Sequence, residues 1–321
     1  MSEPSRARFA LGHATVEVVA GRGAAHVLAR LPTPPPTDGA VDVRVRLARA
    51  RRRHPGGRAR DLHFDEVRGG PCAGGRWLGD GRSLVRVGGA GVVALLHDET
   101  PPWVADGVLV LAGLAFALRA LGVFHLHAAC LQAGRGTVVL VPGGSGAGKT
   151  TLALALRAAG LTLASDDATF VSRREGSLRV SGWPRAPHLG AATWGAFRHT
   201  LAPLGDVQDG PRPKRAVAFP GPALGALAPA RVALLFPTLA EGQTSARVCS
   251  AEDTLLALLE PSALVALPGD PEASRAHLAL LGHLAATARS HRVAVGRDLL
   301  AGPAAAGARL LRQLDLEPVS P

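Results

Sequence analysis

One of the two lysines of this 321-residue chain lies in a segment whose spacing predicts phosphate binding. Lys149 follows the glycine-rich run 143–148 and precedes Thr150, and together they fit the pattern G-x-x-x-x-G-K-[ST]. Arginine supplies almost all the other basic residues, and the second lysine is Lys214. A lysine kept against that bias indicates a position that needs a compact, mobile ammonium rather than a planar guanidinium.

The pattern predicts a chemical task for each part of the segment. Glycines let backbone N–H groups turn towards phosphate oxygens, and the helix that follows adds its positive end. Lys149 would neutralise phosphate charge, and the Thr150 hydroxyl would be a ligand of Mg²⁺. The predicted nucleotide-binding residues are Gly143, Gly144, Ser145, Gly146, Ala147, Gly148, Lys149, Thr150 and Thr151.

Such a segment needs a strand before it and a helix after it, and the sequence supplies both. The apolar residues 137–141 predict a buried strand, and residues 152–159 predict a helix. A further strand over 161–165 ends at Asp166 and Asp167, and ligands of α/β folds collect at such strand ends. A carboxylate pair there suits two tasks of phosphoryl transfer, holding Mg²⁺ and accepting the proton of an attacking hydroxyl.

The run 124–131 (FHLHAACL), the glycine-rich loop and the run 161–167 (LTLASDD) together resemble the HPr kinase/phosphorylase family. The resemblance covers about residues 123–171 and is nearer to the smaller HPr-kinase-related proteins. It implies an α/β fold, a phosphoenolpyruvate carboxykinase-like P-loop nucleotide-binding domain preceded by a smaller β-rich N-terminal domain. Family members transfer the γ-phosphoryl group of ATP to a serine hydroxyl.

The resemblance also implies roles for individual residues. Asp166 would be the general base, and Asp167 would lie towards the metal with Thr150. His127 would contact the catalytic carboxylate or the phosphate. The catalytic set predicted in this way is Asp166, His127 and Lys149.

Three further residues carry open alternatives. Arg185 would either clamp phosphate or be a surface arginine in a proline-rich turn. Lys214 lies in the stretch 201–222, predicted to be a long mobile loop, where it would close over the nucleotide or stay solvated. His125 shares a strand face with His127, but no third ligand has metal-site spacing, so a structural role is predicted for His125.

The basic run 44–60 contains eight arginines, but no aromatic residues for base stacking are interleaved. A solvated surface is therefore favoured over nucleic-acid binding, with docking of an acidic peptide as a third alternative. The net charge of +11 points to acidic partners in general.

Composition sets the broad class of the chain. Hydrophobic residues make up 47%, enough for a sizeable core, and the predicted domains are 1–100 and 101–321. Three cysteines far apart in sequence predict no disulfide framework and favour a reducing cytoplasm. Residues 1–10 have no apolar signal core, and the apolar run 108–118 is too short for a membrane span and predicts a buried helix.

The predicted function is an ATP- and Mg²⁺-dependent kinase that acts on a hydroxyl of a peptide or protein. The alternatives are a small-molecule P-loop kinase, a non-catalytic nucleotide-binding scaffold and a nucleic-acid-stimulated ATPase; the oligomeric state stays open, a homo-oligomer included. A carboxykinase-like fold predicts that strands 123–131 and 137–141 are antiparallel neighbours joined by the turn 134–136. An ordinary P-loop kinase predicts a parallel sheet there, with a crossover helix.

Overall fold

The computed structural model describes residues 4–31, 34–56, 62–64, 67–89, 91–208, 213–222, 224–262 and 270–319. The chain is a mixed α/β protein with several sheets. It divides into two compact units, Met1–Phe124 and His125–Pro321.

The first unit is built on an eight-stranded mixed sheet. Its strands are β1 (Ser5–Leu11), β2 (Ala14–Ala20), β3 (Val43–Arg49), β4 (Leu62–Phe64), β5 (Val67–Cys72), β6 (Gly75–Gly79), β7 (Leu84–Gly88) and β8 (Gly91–Leu96). They lie in the order β1-β2-β3-β8-β7-β6-β5-β4. β3 is parallel to β2 and to β8, and the remaining pairs are antiparallel.

The helices of the first unit pack beside this sheet. They are α1 (Ala25–Arg30), which follows a 3₁₀ turn at Arg22–Ala24, then α2 (Pro102–Val104), a π-helical stretch (Ala105–Val110) and α3 (Leu111–Arg119). A methyl group added at Gly113 would lie 2.7 Å from a Val85 methyl, so α3 approaches the sheet closely. The first unit therefore extends past residue 100 to include this helix.

The continuous helix 102–119 is the one described helix long and apolar enough to cross a membrane. Two thirds of it, 67%, is buried within the protein. It packs as the core helix of a soluble protein does, and the prediction of a buried helix over the apolar run 108–118 is confirmed.

The second unit begins within β9 (Val123–Leu126). Its other strands are β10 (Ala128–Ala133), β11 (Thr137–Pro142), β12 (Thr162–Ser165), β13 (Thr169–Arg174), β14 (Ser177–Gly182), β15 (His188–Leu189), β16 (Pro203–Gln208), β17 (Pro213–Val217), β18 (Arg231–Leu239), β19 (Ser245–Val248) and β20 (Arg289–Val295). Its helices are α4 (Lys149–Ala158), α5 (Ala191–Phe197), α6 (Ala251–Leu259), α7 (Pro271–Thr287), α8 (Asp298–Ala301) and α9 (Pro303–Gln313).

A six-stranded sheet of order β12-β10-β11-β18-β20-β19 forms the centre of the second unit. Every residue of β11 is buried, as expected of the continuous apolar run TVVLVP. Leu152 and Leu156 of α4 and Leu310 of α9 belong to the same buried cluster as Val139 and Val141. The glycine-rich loop therefore leaves a buried strand and enters a buried helix.

Local signals account for the helix starts in the C-terminal part. Ser250 accepts a hydrogen bond from the Asp253 N–H at 3.1 Å and caps α6. Asp270 accepts from the Ala273 N–H in the same way, and Pro271 occupies the first position of α7. β20 lies between α7 and α8, so one strand interrupts the helices of this part of the chain.

The predicted hairpin before the glycine-rich loop is confirmed. β10 and β11 are antiparallel, and the Thr137 N–H donates to the Gly134 carbonyl at 3.2 Å across the turn. The prediction of one strand over 123–131 was wrong, because the chain breaks into β9 and β10 at His127. The His127 N–H donates to the Pro261 carbonyl at 3.0 Å instead of joining a strand ladder.

The prediction of a long loop over 201–222 was wrong where β16 and β17 lie, which is half of that stretch. β16 and β17 form an antiparallel hairpin there, in a three-stranded sheet of order β15-β17-β16. Nearly all of β16 is exposed, and proline is tolerated on such an edge strand. Pro211 and Arg212, which the loop prediction included, lie outside the described residues.

Candidate functional site

The glycine-rich loop 143–148 joins β11 to α4. Gly146 and Gly148 have φ angles of 81° and 99°, in the left-handed region that a residue with a Cβ rarely adopts. The Leu152 N–H donates to the Gly148 carbonyl at 2.9 Å, so helical hydrogen bonding begins directly after the loop. A turn of this kind at a helix N-terminus presents backbone N–H groups and the positive helix end to an anion.

Lys149 is the first residue of α4, and its side chain lies back over the loop. It is only 6% exposed, and its ammonium donates to the Gly144 carbonyl at 3.1 Å. Burial lowers the pKa of Lys149, while the charges of Asp167 and Asp166 act to raise it. The ammonium is therefore a buried cation at the mouth of the loop, held by oxygen atoms that a phosphate group could replace.

The next residue along α4 contacts the first aspartate of the pair. The Thr150 hydroxyl donates to Asp166 Oδ2 at 3.1 Å. Asp166 is 4% exposed, and its Oδ1 is buried with no hydrogen-bond partner among the described residues. Burial raises the pKa of Asp166 to about 6, and the neighbouring Asp167 charge acts in the same direction.

The second aspartate faces three basic side chains. Asp167 Oδ1 lies 2.6 Å from His127 Nε2 and 3.8 Å from Lys149 Nζ, and Asp167 Oδ2 lies 3.9 Å from Arg185 Nη1. Burial acts to raise the pKa of Asp167. This effect is outweighed by the hydrogen bond and charge of His127 and by the charges of Arg185 and Lys149, so the pKa of Asp167 lies well below its usual range. Asp167 is about a third exposed, at 35%, whereas Asp166 is enclosed.

A buried hydroxyl pair fixes the strand end that carries the aspartates. Thr169 Oγ1 donates to the Ala128 carbonyl at 2.8 Å and lies 3.1 Å from Ser165 Oγ. The turn 165–169 is therefore tied to β10, the strand that follows His127. Neither hydroxyl was singled out from sequence, where Ser and Thr beside an acidic pair have no distinctive spacing.

Thr151, Lys214 and His125, which the sequence also singles out, have different surroundings. The Thr151 hydroxyl lies 2.8 Å from that of Thr193 on α5. Lys214, on β17, is near enough for its charge to lower the pKa of Lys149. His125 contacts the Phe170 ring edge-on, with 5.5 Å between ring centroids, and burial lowers its pKa to about 4. Lys214 is therefore within electrostatic range of Lys149, Thr151 makes a contact between helices, and His125 fits the structural role predicted for it.

Three arginines of the basic run 44–60 pair with acids of the first unit. Arg44 contacts the buried Glu17 at 2.7 Å, and Arg49 and Arg53 pair with Asp98 and Glu99. The end of the run, with Arg58 and Arg60, lies outside the described residues. Three of the described arginines of the run are therefore ion-paired within the first unit.

Glu260, which directly follows α6, is a neighbour of the loop that sequence reasoning missed. A methyl group added at Gly144 would lie 2.8 Å from Glu260 Oε1. The charge of Glu260 acts to raise the pKa of Lys149. More than a hundred residues separate Glu260 from the loop, so no local spacing could have revealed the contact.

The oxygen atoms of Thr150 and Asp166 suit a divalent cation that prefers hard ligands. The unpartnered Asp166 Oδ1 is a buried oxygen that a cation or its bound water would satisfy. No group of three or more His, Cys, Asp or Glu side chains within reach of one metal occurs in the described part of the chain. Mg²⁺ needs no such group, because it commonly takes one or two protein oxygens together with water and substrate phosphates.

Comparison with models of known protein families gives no match to this chain, and comparison with curated proteins gives none. The site is therefore interpreted from its own geometry. That geometry brings together a glycine-rich loop, a buried ammonium and two carboxylates in unlike surroundings.

Proposed function

We propose that the protein is an ATP- and Mg²⁺-dependent kinase that transfers the γ-phosphoryl group of ATP to a serine, or another hydroxyl, of a peptide or protein. The observation that carries the proposal is the convergence on Asp167. His127, Lys149 and Arg185 all lie within 4 Å of its carboxylate, beside the glycine-rich loop. Positioned positive charge is what phosphoryl transfer needs most, because its transition state spreads negative charge over the phosphoryl oxygens.

The strand pairing supports a carboxykinase-like nucleotide-binding domain as the fold of the second unit. β11, which leads into the loop, has an antiparallel neighbour in β10 and a parallel neighbour in β18. An ordinary P-loop kinase would have a parallel strand and a crossover helix in place of the β10–β11 hairpin. The proposal therefore favours a protein or peptide kinase over a small-molecule kinase.

The loop and its cations bind the nucleotide phosphates in this proposal. Backbone N–H groups of residues 143–148 and the start of α4 contact phosphate oxygens, and the Lys149 ammonium exchanges the Gly144 carbonyl for a phosphate oxygen. Arg185 and Lys214 add charge at the rim of the site. Three cations and the helix end would offset the charge that develops on the transferred group.

Thr150 and Asp166 would hold Mg²⁺, since the Thr150 hydroxyl contacts Asp166 and the second oxygen of Asp166 is unpartnered. Bound there, Mg²⁺ would neutralise phosphate oxygens of the nucleotide. The contact favours Asp166 for the metal side, the reverse of the order implied by the family resemblance. The raised pKa of Asp166, about 6, describes the carboxyl without a bound cation, and a cation would favour its ionised form.

Asp167 would then receive the acceptor hydroxyl, because it is the more exposed of the two carboxylates. The acceptor oxygen forms a bond to the γ-phosphorus, and the bond from that phosphorus to the β–γ bridging oxygen of ATP breaks. The hydroxyl proton passes to Asp167, and His127, 2.6 Å away, holds the carboxylate in position. With a low pKa, Asp167 acts more by orienting the hydroxyl than by basicity, which a loose transition state allows.

The experiment is incubation of the protein with γ-labelled ATP, Mg²⁺ and an array of serine- and threonine-containing peptides, including peptides encoded by neighbouring genes. We expect label on a peptide hydroxyl with the parent protein, none with Lys149→Ala, and parental labelling with the control Arg174→Ala. Arg174 is an exposed arginine at the end of β13. Nucleotide binding by the parent without transfer to any acceptor would favour the scaffold alternative.

We also propose a cytoplasmic location. Cys72, Cys130 and Cys249 are free thiols, and Cys130 is fully buried in β10. Free, separated thiols suit a reducing compartment.

A further inference from the structure

The carboxylate of Glu260 lies beside Gly144 of the glycine-rich loop, in the space that a side chain at position 144 would need. Its Oε1 occupies space 2.8 Å from where a Gly144 methyl group would be. Glu260 itself is exposed to solvent. A negative group at this position is unexpected, because the loop and Lys149 otherwise form a surface suited to anions.

The backbone holds Glu260 in this position. The Pro261 carbonyl accepts the His127 N–H at 3.0 Å, and the His127 carbonyl accepts the Gly143 N–H at 3.4 Å. The residue after Glu260 is thereby connected through His127 to the first residue of the loop. The end of α6, and with it the backbone of Glu260, is therefore fixed beside the loop.

The electrostatic effect of Glu260 on the site has a definite sign. Its charge acts on the same ammonium, that of Lys149, which the proposed function assigns to phosphate binding. Glu260 would repel a phosphate group that has no bound cation. The two negative charges would be a few ångströms apart and partly screened by solvent, and these two factors set the size of the repulsion. A phosphate whose charge is neutralised by a divalent cation would experience much less repulsion.

We propose that Glu260 makes the loop selective for metal-bound nucleotide over free nucleotide. The proposal rests on the proposed function, since it takes the loop to bind nucleotide phosphates. Glu260 neither touches the acceptor nor moves a proton. It lowers the affinity for the unproductive, metal-free form of ATP, which would otherwise occupy the site without reacting.

The test is the dissociation constant of ATP, measured by calorimetry at low salt, once with EDTA and once with excess Mg²⁺, for the parent and Glu260→Gln. Glutamine keeps the shape of the side chain and removes its charge. We expect Glu260→Gln to bind metal-free ATP roughly tenfold more tightly than the parent does. A change of this size is what removing one nearby, moderately screened unit charge implies. Binding of the Mg²⁺ complex should change less than about twofold, and the tenfold difference should shrink as salt is added.

Glu252→Gln is the matched control, because Glu252 is an exposed glutamate in the first turn of the same helix. Its two dissociation constants should equal those of the parent. Unchanged selectivity in Glu260→Gln would overturn the proposal, and so would weaker binding of the Mg²⁺ complex, which would make Glu260 a metal-side ligand. A parent protein that binds neither form of ATP would overturn the proposed function itself, a result distinct from either of these.

Discussion

Two adjacent aspartates of this protein have unlike chemistry because their surroundings differ. Asp166 is enclosed, contacts one hydroxyl and has a pKa raised to about 6. Asp167, one residue later, meets three basic side chains and has a lowered pKa. Such a divergence between neighbouring titratable groups is a common mark of an active site, where each group serves a separate task.

This asymmetry leads to a prediction about the two amide variants. Asp167→Asn should bind ATP nearly as the parent does and lose roughly 10²- to 10⁴-fold in transfer rate, because it removes the carboxylate that orients the acceptor hydroxyl and takes up its proton. Asp166→Asn should instead raise the Mg²⁺ concentration needed for half-maximal rate, because it removes a charged oxygen beside Thr150. Transfer rates over a Mg²⁺ titration, with a verified acceptor, measure both effects.

The opposite pattern would restore the order that the family resemblance implies, with Asp166 as the base. A useful comparison is His127→Gln, which keeps a donor near Asp167 but cannot hold a proton. If His127 only positions Asp167, that variant should keep more activity than Asp167→Asn. Equal losses in the two variants would indicate that the histidine and the carboxylate act as one proton-accepting unit.

Much of this site could be predicted from the sequence, because its parts are close along the chain. The loop, Lys149, the Asp pair and His127 fall within about forty residues, and the structure brings them together. The sequence could not say which aspartate meets Thr150, since that depends on how the chain turns at a strand end. It could not reveal Glu260, because a contact made across the fold has no local pattern.

At the scale of elements, the sequence predicts strands and helices correctly where a run of apolar residues is also buried in the fold. The wholly buried β11 and the apolar helix 111–119 were predicted within a few residues. The hairpin of β16 and β17 was missed, since Pro203, Gly205 and Pro213 are residues that strands usually exclude. An exposed edge strand permits them, and whether a strand lies at an edge is decided by tertiary structure.

The packing of α9 on α4 gives a prediction at this scale. A methyl group added at Gly307 would lie 2.4 Å from the Ala155 carbonyl oxygen, a distance that requires the helices to move apart. Gly307→Ala should therefore lower the free energy of unfolding by about 1–3 kcal/mol, in spite of the better helix propensity of alanine. Urea denaturation measures the change.

The control is a second helical glycine with space around it. Gly282, in α7, has no atom within 4 Å of an added methyl group apart from its chain neighbours and its own helix backbone. Gly282→Ala should raise the free energy of unfolding by about 0.5–1 kcal/mol, the usual advantage of alanine over glycine in a helix. Equal effects at the two positions would show that the α4–α9 contact is not as close as described.

At the scale of the whole molecule, the large positive charge does not by itself predict a nucleic-acid partner. Three arginines of the basic run are matched by acids within the first unit, and Glu17 is held between one of them, Arg44, and Arg8. The hydrogen bonds from these two arginines lower the pKa of Glu17, so the cluster stays ionised at neutral pH. In the second unit, by contrast, a small group of basic side chains faces a single carboxylate, that of Asp167.

The pH dependence of folding involves two buried groups of the second unit with opposite effects. Asp166 has a folded-state pKa of about 6, above its ordinary 3.8, so its contribution to stability is present below pH 3.8 and is lost as pH rises through 6. His125 has a folded-state pKa of about 4, below its ordinary 6.5, so its contribution is present above pH 6.5 and is lost as pH falls through 4. Each amounts to roughly 3 kcal/mol at most.

Between pH 4 and 6 the two contributions therefore cancel in the parent, and single substitutions should separate them. Without nucleotide and in EDTA, Asp166→Asn should lose stability relative to the parent as pH falls from 6 to 4, because the cost of keeping His125 neutral is no longer offset. His125→Phe, which keeps the ring packed on Phe170, should gain stability relative to the parent over the same range. His283 and His291, whose pKa values burial also lowers, act in the direction of His125 but are common to all three proteins. Thermal unfolding at half-unit pH steps measures the differences. If stability changed with pH in the same way for the parent and both variants, Asp166 and His125 would not have the opposite pH effects predicted here.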